Sequence, residues 1–269
     1  MTRPFRFGVV APLLTDVRSW TEQARRLAGQ GFSTLLVPDV PLWQPAPAPL
    51  LAHAAAVADL RVGTWVYASP FRPPWATAWE AHSLTELTEG RFEMGIGTGR
   101  PGIEDELRER GMAVPSPAER LDRVRDTVDE LRAMDGTDVH TPVVMAVRGP
   151  RATAVGLEVA DTLTFAARLG DTREGMAARA REVLRVRDVE LALHVPVVGD
   201  DVAPFMASAT ETDPQALRDA DSLLVLPADP VAAVEELRRR REEIGYSYVV
   251  VGAGAADRMA PVVAQLTGT

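Results

Sequence analysis

Eight short apolar runs, each followed by a helix-patterned stretch, constrain the fold of this chain more than any motif in it. They are FRFGVV at 5–10, TLLV at 34–37, RVGTWVY at 61–67, FEMGI at 92–96, PVVMAV at 142–147, TLTF at 162–165, VELALHVPV at 189–197 and SYVVV at 247–251. Runs of this length, rich in β-branched residues, read as buried strands. Strands alternating with helices can pair in parallel, because each crossover helix then covers one face of the sheet. A count of eight favours closure into an α/β fold of the (β/α)8 TIM barrel type over an open doubly wound sheet. The 269 residues are then one barrel domain, 1–269.

The helices between the runs carry their own start and stop signals. In SPAERLDRVRDTVDELRAM, Ser116 is the cap, Pro117 fits the first turn and Glu119 completes a capping box, with Leu121, Val124, Val128, Leu131 and Met134 on one face. In DPVAAVEELRRRREEIG, Asp229 caps, Pro230 begins the helix and Gly245 ends it. The run Arg238–Arg241 on that helix is flanked by Glu235, Glu236, Glu242 and Glu243, and is expected to be a solvated, ion-paired face.

Two absences restrict the chemistry. With no cysteine there is no thiol nucleophile, thiolate metal site or disulfide, and with no lysine there is no Schiff-base mechanism. His53, His82, His140 and His194 fall in separate elements without metal-ligand spacing, so no metal site is expected. A net charge of -9 opposes nucleic-acid binding. The segment MTRPFRFGVVAPLL has too short an apolar run for a secretory signal, and no stretch is long enough to span a bilayer. A cytoplasmic protein without membrane partners is expected.

The chemistry of a barrel sits where its strands end. Those ends are Pro12–Asp16, Pro38–Trp43, Ala68–Pro73, Gly97–Glu104, Arg148–Arg151 and Ala166–Leu169. In Arg148-Gly149-Pro150-Arg151 an apolar strand turns into a helix at Pro150, so the free amides of the first helical turn face an anion, with Arg151 able to add a bidentate contact. Pairing of both arginines with surface carboxylates is an equal alternative. GIGTG at 95–99 signals a backbone that closely approaches either a ligand or a neighbouring loop. No Gly-x-Gly-x-x-Gly follows the first strand, which argues against a Rossmann domain. Trp43, Trp65, Phe71 and Trp75 can line a pocket for an aromatic or lipophilic substrate, or serve core or dimer packing. The proline-rich stretch 41–51 reads as a loop able to act as a lid.

Residues 60–106, 142–163 and 229–266, with VPD at 37–39, follow the order of segments in the luciferase-like monooxygenase family, and the chain resembles its coenzyme F420-dependent, bacterial-luciferase-like branch. The resemblance implies F420 or FMN as cofactor, a small-molecule substrate and a homodimer. It implies that Gly149-Pro150-Arg151 holds the cofactor phosphate, with Arg148 standing where relatives have another glycine. It implies a non-proline cis peptide at Trp65–Val66 under the cofactor ring, with Thr98 and Gly99 lining that ring. Of the catalytic positions, Asp39 aligns with the aspartate of an Asp-His pair whose histidine is here Val40. Arg100 stands where sugar-phosphate dehydrogenase relatives have a glutamate acid, so that chemistry does not transfer. Glu104 is read as a cap or an ion-pair partner. Relatives usually have a longer insertion where DGTDVHT joins the SPAERL helix to the fifth strand, and its loss is expected to open the barrel mouth. Three functions stay open: a flavin or F420 oxidoreductase, a family member that serves as a non-catalytic partner subunit, and an unrelated barrel lyase or isomerase acting on a phosphorylated substrate.

Overall fold

The computed structural model describes residues 3–12, 16–41, 43–167, 170–203 and 213–269. Its barrel strands are β1 (Arg6–Val10), β2 (Thr34–Val37), β3 (Arg61–Thr64), β4 (Phe92–Gly97), β5 (Val143–Val147), β6 (Thr162–Phe165), β7 (Glu190–Val195) and β8 (Tyr246–Gly252). Each pairs in parallel with the next. The β3–β4 register (Val62↔Phe92) and the β8–β1 register (Tyr248↔Arg6) complete the circuit, so the sheet is a closed eight-stranded barrel. Beyond β3, Tyr67–Ala68 resumes pairing with β4 at Ile96 and Gly97.

Side chains alternate across the barrel wall as the strand period requires. Val9, Leu35, Leu191, Leu193 and Val249 face outward and pack with the helices in the main core, while Val10, Leu36, Ala192 and Val250 face inward around Tyr248. At the amino end the interior is ionic. Arg6 reaches Glu93 at 2.7 Å and Glu190 at 2.6 Å, and lies over the Tyr248 ring at 3.4 Å, while the Tyr248 hydroxyl donates to Glu93 at 2.6 Å. Gly8 makes room for this arrangement, since a Cβ there would meet the Tyr248 hydroxyl at 2.8 Å. Burial pushes the Glu190 carboxyl up, but the hydrogen bond and charge of Arg6, with the Thr162 hydroxyl, prevail and hold it below the usual range.

The helix signals are realised. Ser116 and Glu119 form the capping box of the helix Pro117–Asp135, and Asp229 caps Pro230–Ile244, which ends at Gly245 in the left-handed region. Three expectations are corrected. The basic run is not a uniformly solvated face: Arg240 is 1% exposed, paired with Glu236, and donates to the carbonyls of Leu223 and Val225 at 2.7 Å. Its place in the series Ala233, Leu237, Arg240, Ile244 puts it on the buried side of the helix. The proline-rich stretch is helical from Pro47, a residue suited to a first helical turn, so only its beginning is a loop.

The third correction concerns the short connection after Asp135. It enters β5 at the amino end of the barrel, where Asp135 accepts the Thr141 amide at 2.8 Å and Asp161 accepts the Val143 amide at 2.8 Å. Helix-to-strand connections lie on the face opposite the mouth, so its brevity closes the floor and does not open the mouth. Between β7 and β8 the chain adds a small sheet of Val197–Val198, Asp201–Val202 and Val225–Leu226. No helix among the described residues is long and apolar enough to cross a membrane.

Candidate active site at the carboxyl end of the barrel

Four strand ends build the candidate site. Within the segments named from sequence, residues 13–15, 42, 168 and 169 lie outside the described residues.

At the end of β2, Asp39 is buried. Its Oδ2 accepts from the Ala68 amide at 3.2 Å and from Arg72 Nε at 3.3 Å, and its Oδ1 accepts from Arg72 Nη2 at 3.2 Å. Arg72 also pairs with Glu80 at 3.0 Å and lies 4.4 Å over the Tyr67 ring. Asp39 therefore anchors the backbone just past β3, and its charge is already matched.

The peptide between Trp65 and Val66 is cis. Trp65 packs against the inward-facing cluster, edge-on to Tyr248 at 6.2 Å and to His194 at 6.1 Å. Val66 occupies space that two glycines of β4 leave open: a Cβ on Gly95 would lie 3.0 Å from Val66 and 1.9 Å from the Thr64 carbonyl, and one on Gly97 would lie 3.1 Å from Val66. Gly99, at φ +92°, would meet Ile103 at 2.5 Å. The glycines of GIGTG thus serve neighbouring chain, one of the two alternatives their pattern allowed.

Past β4, Arg100 pairs with Glu106, which also holds Arg110 at 2.9 Å. Glu104 takes the ion-pair role, joined to Arg120 at 2.7 Å, and a bond to its own backbone amide together with Arg120 holds its carboxyl below the usual range.

The corner after β5 differs from all of these. Arg148 is extended, Gly149 stands at φ +74° with no atom within 4 Å of a Cβ built on it, and the helix Gly149–Val159 starts with no side chain capping it. On the adjoining helix Arg120, Arg123, Arg125 and Arg132 each hold a carboxylate or carbonyl. Arg148 and Arg151 hold none among the described residues. The two line a cavity of about 210 Å³ together with Thr98, Arg120, Leu121 and Ala152. Among the described residues, therefore, the surface-pairing alternative for this corner is not realised. Three residues chosen from sequence, Thr98, Arg148 and Arg151, come together, with the open amides of Gly149 and Arg151 at the helix start.

Metal-ligand spacing does not single out His194 among the four histidines. Its inward phase on β7, two residues beyond Ala192, was the signal that could have found it. Burial pushes its imidazole down to about 4, so it is neutral beside Trp65. His53 bonds Thr21, His82 bonds Asp135 and His140 bonds Asp161. No group of three or more potential metal ligands occurs among the described residues. The four aromatic side chains do not share one pocket. Trp65 is in the mouth, Trp43 is exposed beyond β2, Phe71 packs with Ala68, Ile103 and Leu107, and Trp75 stacks on Trp79 on the outer face of the helix Pro74–Leu87.

Comparison with known proteins places this geometry. The family model described as luciferase-like monooxygenase matches residues 4–224. No curated protein matches at the level of sequence. Among solved structures, the F420-dependent tetrahydromethanopterin reductase of Methanopyrus kandleri superposes with a TM-score of 0.74 at 14% identity, over 98% of this chain and 100% of that one. An F420-dependent secondary alcohol dehydrogenase bound to an F420–acetone adduct gives 0.74 at 17% identity, over 98% and 99%. The oxygenating constituent of 3,6-diketocamphane monooxygenase from Pseudomonas putida, in complex with FMN, gives 0.66 at 13% identity, over 97% and 95%. At these identities the likeness is one of fold.

Proposed function

We propose, since this chain belongs to the luciferase-like monooxygenase family, that it is an oxidoreductase using F420 or reduced FMN on a small organic substrate. One observation supports this reading above others. The Arg148–Arg151 corner, which holds no carboxylate among the described residues, and the cis Trp65–Val66 bond stand at the carboxyl ends of β5 and β3, the same face of one barrel.

The residues fit such a cofactor. Gly149, Arg151 and Thr98 offer amide, guanidinium and hydroxyl donors to a phosphate, and Trp65 with Val66 presents an apolar floor for a ring, supported from below by Tyr248. When bound, F420 supplies hydride transfer, and reduced FMN supplies hydride transfer or oxygen activation. The chain's own part is to hold the phosphate, seat the ring and keep the neutral His194 imidazole beside that floor. Asp39 acts by fixing Ala68 and Arg72, and Arg100 by its tie to Glu106. A homodimer is part of the proposal. The stacked Trp75 and Trp79, 55% and 60% exposed on the helix Pro74–Leu87, give it an apolar face to bury.

A second reading, a binding subunit without redox turnover, is favoured by one feature: both expected catalytic residues are held in ion pairs. Equilibrium titration with FMN and with F420, read by absorbance and fluorescence, tests the main proposal. Saturable binding of one supports it, and no binding of either at high micromolar concentration overturns it. A bound cofactor that is never reduced or oxidised across a substrate panel would favour the subunit.

A further inference from the structure

We infer that Arg148 is a specificity residue that reads negative charge beyond the cofactor phosphate, favouring a phosphodiester with an acidic extension over a phosphomonoester. The inference rests on the cofactor reading above and selects between its two candidates.

Arg148 lines two cavities, one on each side of the start of the helix Gly149–Val159. The smaller, of about 210 Å³, has Thr98 and Arg151 in its wall and lies against the helix Pro117–Asp135. The larger, of about 580 Å³, lies between Gly149–Val159 and the helix Arg173–Val186, with walls that include Leu157, Phe165, Val183 and Arg179. A phosphate seated on the open amides with Arg151 has its donors on the smaller side. Arg148 precedes Gly149 in extended backbone, so it stands off the helix axis, between the two cavities. Its guanidinium has no carboxylate or carbonyl among the described residues.

A phosphomonoester ends at the phosphate and gives Arg148 one more charge to share with Arg151. A phosphodiester must send its second ester arm away from that seat, and the larger cavity is the room available past Arg148. The position of Arg148 therefore suits a carboxylate on that arm, which a guanidinium fork can hold in two parallel bonds. Glu182 in the wall of the larger cavity opposes an acidic arm there, and Arg179 in the same wall is paired with Asp171 at 3.2 Å, so Arg148 is the arginine of this cavity that holds no carboxylate among the described residues. F420, whose phosphate is esterified to an acidic lactyl-glutamyl tail, has this chemistry, and FMN does not.

The test measures dissociation constants of the full-length protein and of Arg148→Gly for three probes: F420, the same deazaflavin as a 5′-phosphate without its tail, and FMN. The wild type is expected to bind F420 about tenfold more tightly than the tailless phosphate, a gain of the size of one charge-assisted pair. In Arg148→Gly that ratio is expected to fall close to one. Arg148→Gln, which keeps length without charge, should give the same collapse. A ratio near one in the wild type, or a ratio unchanged in both variants, overturns the inference while leaving the cofactor reading intact. If none of the three probes binds the wild type, the cofactor reading fails and this inference falls with it.

Discussion

The two ends of the barrel use arginine in opposite ways. At the amino end Arg6 is enclosed by Glu93, Glu190 and the Tyr248 ring, and every charge has a partner within about 3 Å. At the carboxyl end Arg148 and Arg151 flank a cavity and hold nothing among the described residues. Guanidinium stays charged at every pH a protein survives, so where it sits inside a fold it must be paired, and where it is unpaired at a cavity it is available for an anion. The saturated set is structural. The unsaturated set is the better pointer to function, even though its arginines are more exposed.

That contrast can be broken most severely at the floor. Arg6→Met leaves Glu93, 1% exposed, and Glu190 without their cation, and should cost about 3–5 kcal/mol of stability in denaturant unfolding. A loss under about 1 kcal/mol would show that the floor network is not a structural unit.

Next in size is Arg151→Ala, which should weaken binding of the phosphate-bearing cofactor about 10- to 100-fold, the worth of a hydrogen bond to a charged group. Equal affinity in the variant would place the anion elsewhere.

The acid limb of stability sharpens the comparison further. The folded Glu190 carboxyl lies below its ordinary 4.5, so the unfolded chain binds more protons. This contribution is fully present above about pH 4.5 and disappears as pH falls through the depressed value. Melting temperatures of the wild type should drop more steeply than those of Glu190→Gln below that pH, and parallel curves would contradict the assignment.

The smallest effect is expected at the mouth. Arg148→Ala and Arg151→Ala remove no internal bond among the described residues and should change stability by no more than about 0.5 kcal/mol.

How far the sequence could be read follows the same physics. The eight strands and the capped helices were legible because β-branched runs and cap residues act locally. Ser116, Pro117 and Glu119 need no distant partner to do their work. The corner at Gly149 was legible for the same reason, since a strand, a glycine and a proline in succession fix a local turn. Pairings across the barrel were not. Arg6, Glu93 and Glu190 are separated by scores of residues, and only barrel closure brings them together. A charge run by composition alone reads as solvated, and only the helical phase of Arg240 shows that it is buried; likewise the length of the link after Asp135 does not say at which end of the barrel it lies. Residue type alone groups Trp75 with Trp65, whereas the outer face of its helix carries it away from the mouth.

The measurement that bears most directly on the central contrast is a fluorescence titration of the wild type and Arg151→Ala with F420 and FMN, on samples first shown to melt alike. A chromophore that binds the wild type and is weakened at least about tenfold by Arg151→Ala, with no change in melting, is the expected result. Binding of either chromophore that ignores the substitution would contradict the claim that the unpaired corner is where this barrel holds its ligand.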